Sequence, residues 1–114
     1  MSKYLFSCVS MIGRTIETVA AEYGFNVVHE FCGHGTGKYL HMLPFVLHYT
    51  NHDAIPLRPG MVFTIEPILV EHGRHIKVWE DNWTAVTADG GRGAQMEHEI
   101  LIHEDGAEIL TLPN

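Results

Sequence analysis

Only one stretch of this chain repeats its apolar residues at helical spacing. Val9, Ile12, Ile16, Val19 and Ala20, within residues 6–23, recur at three- and four-residue steps and fall on one stripe of a helix. Gly24 stands where a C′ glycine ends such a helix. The later apolar runs are short and are cut by glycine, proline or Asn/Asp clusters, which is strand and turn chemistry. With 114 residues the chain has room for a single domain. One N-terminal helix followed by mainly antiparallel strands gives an α+β class.

Residues 25–31 have the β-branched and aromatic content of a strand and run into Cys32-Gly33-His34-Gly35-Thr36-Gly37, a loop or irregular strand. Residues 44–59 carry Pro44, Pro56 and Pro59 with an Asn51-His52-Asp53 cluster, and predict a long ordered connection ending in an Arg58-Pro59-Gly60 turn. Strands are predicted at 61–66, 68–70, 76–79, 83–87, 95–103 and 108–110. Asp89-Gly90-Gly91 and Glu104-Asp105-Gly106 read as hairpin-type turns.

Seven Lys and Arg against fourteen Asp and Glu give a net charge of −7 with histidines neutral. A net-negative surface without a basic stripe is not drawn to nucleic acid or to an anionic membrane, so neither partner is expected. The opening eight residues look a little like a signal peptide, but Arg14 and Glu17 interrupt the apolar run. No stretch approaches the roughly 20 apolar residues of a membrane span. Two cysteines, Cys8 and Cys32, are too few for a disulfide framework and point to a reducing compartment, the cytoplasm.

Glu66 is a lone carboxylate in the apolar run Val62 to Val70, where burying an unpaired charge would cost several kcal/mol. Glu97 repeats that pattern in Ala94 to Ile102. Two mid-strand carboxylates mark either the solvated face of an edge strand or a functional role, and the residues alone leave both open. His34 lies between two glycines, so the backbone there can approach a neighbour closely while the imidazole points at it. One His with two Glu is a ligand set for a catalytic divalent metal with open positions. Gly37-Lys38 is not a phosphate loop, since Tyr39 stands where Ser or Thr should hold magnesium. His98 and His103 are five apart in a β context, which rules out a zincin helix, and no Gly-x-Ser-x-Gly elbow occurs. Cys32 beside a glycine bend reads as a packed small residue more readily than as a nucleophile.

These residues carry a resemblance. Phe31-Cys32-Gly33-His34-Gly35-Thr36-Gly37, Pro44-Phe45-Val46-Leu47-His48-Tyr49, the run from Leu57 to Pro67, Asp81-Asn82-Trp83-Thr84-Ala85-Val86-Thr87 and Gln95-Met96-Glu97-His98 together resemble the C-terminal half of a type I methionine aminopeptidase. The resemblance implies a single partial domain over 1–114 of the M24 peptidase type, with the pita-bread fold. It implies a metal-dependent hydrolase that removes the N-terminal methionine of nascent polypeptides, the alternative being an inactive pita-bread-like peptide- or protein-binding module. On that mapping His34, Glu66 and Glu97 are metal ligands for divalent metal ions (Co, Mn, Fe or Zn). Glu66 is also the base that handles the proton of the attacking water, and His41 hydrogen-bonds the scissile amide. Trp83 lines the methionine pocket, with Leu40 where the family usually has Phe.

The family's complete site holds two metals and takes two aspartates and a further histidine from an N-terminal half that these 114 residues lack. Two divalent cations bring +4 while Glu66 and Glu97 bring −2, so at most one metal is expected from this chain alone. Glu99 replaces the usual Thr after the Glu-His pair. It reads as a solvated edge residue more readily than as a source of missing charge. The half fold is expected to expose apolar surface and to self-associate or meet a complementary half.

Overall fold

The computed structural model describes residues 8–114. Phe6, Ser7 and the leader-like opening lie outside the described residues. Helix α1 spans Val9–Glu22 and turns Val9, Ile12, Gly13 and Ala20 inward. Its first amide donates to the Ile55 carbonyl at 2.9 Å. It ends in a Schellman motif: Gly24 N–H donates to the Ala21 carbonyl and Phe25 N–H to the Ala20 carbonyl, with Gly24 at φ 78°. Val19 departs from the expected stripe. It is exposed, because it faces sideways onto an open apolar groove shared with Tyr23, Phe25, Pro67 and Leu69. Among the described residues no helix is long and apolar enough to cross a membrane.

Ten short strands follow: β1 Asn26–Val27, β2 Gly33–Gly35, β3 Met42–Val46, β4 Val62–Ile65, β5 Ile68–Val70, β6 Ile76–Val78, β7 Ala85–Thr87, β8 Gly93–Gln95, β9 His98–Ile102 and β10 Ala107–Ile109. They build a five-stranded sheet ordered β10-β9-β4-β2-β3, a three-stranded sheet β1-β5-β8 and the two-stranded β6-β7 ribbon, all antiparallel. The α1 stripe packs on the larger sheet, where Val9, Ile12, Val46, Phe63 and Ile100 form the core. At Gly13 the helix meets the segment after β3 so closely that a Cβ would stand 2.3 Å from the Tyr49 carbonyl oxygen and 2.5 Å from that of Leu47.

Several expected elements differ. The strand predicted over 25–31 pairs only at Asn26 and Val27, and beyond Val28 the chain leaves the ladder as His29 stacks on Tyr49 at 3.8 Å. The connection predicted from Pro44 begins inside a strand instead. Pro44 is tolerated in β3 because β3 is the sheet edge, where one side of the backbone needs no ladder bond. The Asp89-Gly90-Gly91 turn is not a hairpin, since it carries the chain from β7 to β8, which lie in different sheets. Glu104-Asp105-Gly106 does close one, between β9 and β10, with His103 N–H donating to the Gly106 carbonyl.

The predicted strand over 95–103 is two strands, and Glu66 and Glu97 are not mid-strand. The chain passes from the larger sheet to the smaller between β4 and β5, and back between β8 and β9. Pro67 has no amide hydrogen to give the ladder, so pairing stops there. Ile65 pairs with His98 and Ile68 with Gln95, the same register on both sides of the gap. That register sets Glu66 opposite Glu97, where the ladder is interrupted.

Candidate metal centre

His34 is the centre of β2, squeezed between β3 and β4. The flanking glycines are required by that packing: a Cβ at Gly33 would stand 2.1 Å from the Thr64 carbonyl oxygen, and one at Gly35 2.3 Å from that of Leu43. The His34 amide donates to the Thr64 hydroxyl at 3.1 Å, and that hydroxyl donates to Glu66 Oε1 at 2.9 Å. A short chain of bonds therefore ties β2 to the carboxylate at the end of β4.

The imidazole orientation is fixed by one contact. His34 Nδ1 lies 3.0 Å from the Gly35 carbonyl oxygen, which can only accept, so Nδ1 carries a proton. In its neutral form the ring offers a lone pair at Nε2, and that atom faces Glu66 Oε1 at 3.3 Å. Two acceptors so placed repel unless a proton or a cation stands with them. Glu97 closes the group: donor atoms of His34, Glu66 and Glu97 all lie within 4.8 Å of one another, with His34 buried, Glu66 half-buried and Glu97 exposed. Ligand atoms at about 2.1 Å from one ion lie roughly 3–4 Å apart, so a small swing of the exposed Glu97 brings the set to coordination distance. Two carboxylates and a neutral imidazole also balance the charge of a single divalent ion. The residues present fit one cation.

His41 is exposed and sets its ring against His34, 4.4 Å between centroids at 62°. Leu40 and Trp83 are exposed, and neither shares in the contacts among His34, His41, Glu66 and Glu97. Trp83 rides on the β6-β7 turn. There the Asp81 carboxylate accepts from the Thr84 hydroxyl and from the Thr84 and Trp83 amides, which holds that acid below its ordinary range. Beside Gln95 a groove of about 410 Å³, lined by Phe31, Ile68, Ile76, Ala94 and others, opens between the smaller sheet and the β6-β7 ribbon. Burial, then the nearby Glu66 charge, pushes the Cys32 thiol up, which disfavours the thiolate that a nucleophile needs.

Two polar residues lie beyond what spacing alone reveals. His48, 1% exposed, places Nε2 3.2 Å from the Glu66 amide, which donates to it. Burial pushes the His48 ring down to about 4, so it is neutral at pH 7. Gln95 Nε2 donates to the Glu66 carbonyl at 3.3 Å and lies 3.4 Å from Oε2. Both backbone groups of Glu66, its N–H and its C=O, are thus met by side chains. Glu99 is not a solvated edge residue: β9 is an interior strand, Glu99 is half-buried, and its Oε1 accepts from the Thr36 hydroxyl at 2.5 Å.

An interrupted antiparallel ladder with one histidine and two glutamates drawn together at the break defines a candidate divalent-cation centre on an α+β scaffold. The pattern of metallopeptidase family M24 matches residues 7–104, and the chain belongs to that family. It is 47% identical over 102 residues to mitochondrial methionine aminopeptidase 1D of Homo sapiens, covering 90% of this chain and 30% of that protein. It is 48% identical over 101 residues to methionine aminopeptidase 1 of Dictyostelium discoideum, covering 88% of this chain and 28% of the relative. Among solved structures, methionine aminopeptidase from Thermotoga maritima superimposes with a TM-score of 0.90 at 42% identity, over 94% of this chain and 43% of that one. The chain therefore spans under a third of the curated relatives and under half of that structure. Its fold is an α+β part of the pita-bread fold of those enzymes.

Proposed function

We propose that this chain carries the His-Glu-Glu part of a methionine aminopeptidase site and acts in removing the N-terminal methionine from nascent polypeptides. The observation that carries this reading is the convergence of His34, Glu66 and Glu97 within 4.8 Å, from three places far apart in sequence. A divalent cation there, Co, Mn, Fe or Zn, supplies Lewis-acid polarisation of a carbonyl and a more acidic water. The chain's own part is to hold and move protons. Glu66, fixed by Thr64 and Gln95, takes the proton of the attacking water and returns it to the leaving amine. His41 at the rim donates to the scissile amide oxygen. Leu40 and Trp83 form walls for the methionine side chain, and both have the exposed apolar area such a contact needs.

Tyr39, Leu43, Phe45 and Met96 are also exposed on the described surface. Self-association or a complementary half as partner would cover such exposed apolar side chains. The compartment we propose is the cytoplasm, and no disulfide joins Cys8 to Cys32. The function is tested by hydrolysis of a Met-Ala-Ser peptide by the chain with added manganese or cobalt. Release of methionine that Glu66→Ala abolishes supports the reading, and tight peptide binding without turnover overturns it. Light scattering tests the partner, with a clean monomer counting against self-association.

A further inference from the structure

The Glu66 amide is the one backbone donor at the centre of the site that a buried histidine takes up. Strand β4 ends at Ile65, and the next amide, that of Glu66, donates to His48 Nε2 at 3.2 Å across 18 residues of sequence. Because an amide only donates, Nε2 must be unprotonated and the ring's hydrogen must sit on Nδ1. That Nδ1 is fully buried and meets no partner among the described residues. A leucine would fill the same volume without burying an unpaired donor, so packing alone does not account for an imidazole here. The segment carrying His48 is itself locked, since α1 presses on it through Gly13 at the Leu47 and Tyr49 carbonyls.

We propose that His48 is a positioning residue: as the Nδ1–H tautomer it takes the strand partner's place at the ladder break and fixes the Glu66 backbone, so that the Glu66 carboxylate aims at His34. This rests on the cation-site reading above. It acts through Glu66 and touches neither substrate nor ion. An outer group that orients a ligand typically changes metal affinity by about 10- to 100-fold when it is removed.

The test begins on the unsubstituted, isotope-labelled chain. The ¹⁵N shifts of the His48 ring should show a protonated Nδ1 and a bare Nε2, with a scalar coupling across the hydrogen bond to the Glu66 amide nitrogen. A ring protonated at Nε2 overturns the proposal. Manganese affinity is then measured by electron paramagnetic resonance for His48→Leu and His48→Gln, each first shown to be folded by its amide spectrum. His48→Leu should bind manganese about 10-fold more weakly. His48→Gln, whose side-chain oxygen can accept the same N–H, should recover most of that loss. Unchanged affinity in His48→Leu, or a Gln variant as weak as the Leu one, overturns it. If the unsubstituted chain binds no manganese, the cation-site reading fails instead, and the tautomer and coupling still decide what His48 does. They decide it equally if His48→Leu does not fold.

Discussion

Glu66 and Glu97 face each other across one interrupted ladder, yet the chain fastens the first on every side and leaves the second in solvent. Glu66 gives its amide to His48, takes Gln95 at its carbonyl and carboxylate, and takes the Thr64 hydroxyl at Oε1. The Glu97 carboxylate accepts no hydrogen bond among the described residues and follows Met96, which is 68% exposed. Both backbone groups of Glu66 are met by side chains, its amide by His48 and its carbonyl by Gln95, whereas Glu97 has no such fastening at its carboxylate among the described residues. The consequence is a site with one pre-oriented carboxylate and one that swings in, the first of which loses less freedom on binding a cation.

The largest effect expected from this contrast is catalytic. Glu66→Ala should lower hydrolysis of a methionyl peptide by about 10²- to 10⁴-fold, since it removes a ligand and the proton acceptor together. Glu97→Ala removes only a ligand and should lower it less, with part of the rate restored by raised manganese. Rates that fall equally in both, with no rescue, would break the contrast.

Next in size is a pH effect on the fastened side. Burial lowers His48 from 6.5 to about 4, so between those values the unfolded chain binds the proton and the folded chain does not. The contribution of this group to stability is therefore fully present above pH 6.5 and is lost as pH falls toward 4, by up to about 3 kcal/mol. Protonation would also turn the acceptor facing the Glu66 amide into a donor. Urea unfolding of the metal-free protein across this range, compared with His48→Gln, isolates the slope. Identical slopes in the two would remove His48 from the account.

A smaller loss should follow Gly13→Ala. The added methyl meets backbone oxygens at 2.3 and 2.5 Å, which move only with the chain, so about 1–3 kcal/mol of stability should be lost. Amide shifts should move at 47–49 and at Glu66 more than at Glu97. Shifts spread evenly over both carboxylates would mean that the helix does not favour one side.

What the sequence makes legible follows how local each cause is. The helix and its glycine stop come from spacing within one segment, and both are found, with the helix starting at Val9 and Val19 off its inward stripe. The ladder break was written in Pro67, one residue after Glu66, and weighing that missing donor would have put the carboxylate at a strand end. Pro44 misleads the other way, because only the sheet order reveals that its strand is an edge. The convergence of His34, Glu66 and Glu97 is not in their spacing, since intervals of about thirty residues say nothing of direction. Family resemblance pointed to it, and the shared register of β4-β9 and β5-β8 explains it. His48 is the least legible, because its role depends on one long-range contact with an amide.

The smallest expected effect concerns a third carboxylate near the pair. Glu99 shares a register position with Thr64, the residue that holds Glu66, but its side chain reaches to Thr36 and is outside the group of converging donors. Glu99→Thr should therefore cost about 1 kcal/mol in unfolding experiments, the worth of one partly buried hydrogen bond. Manganese affinity should change by less than about twofold, as a half-buried charge outside the ligand set is screened by solvent. A larger loss of affinity would mean that Glu99 supplies charge to the cation through the sheet. The fastened side would then hold two carboxylates against the single mobile Glu97, and the asymmetry would lie in the field as well as in the hydrogen bonds.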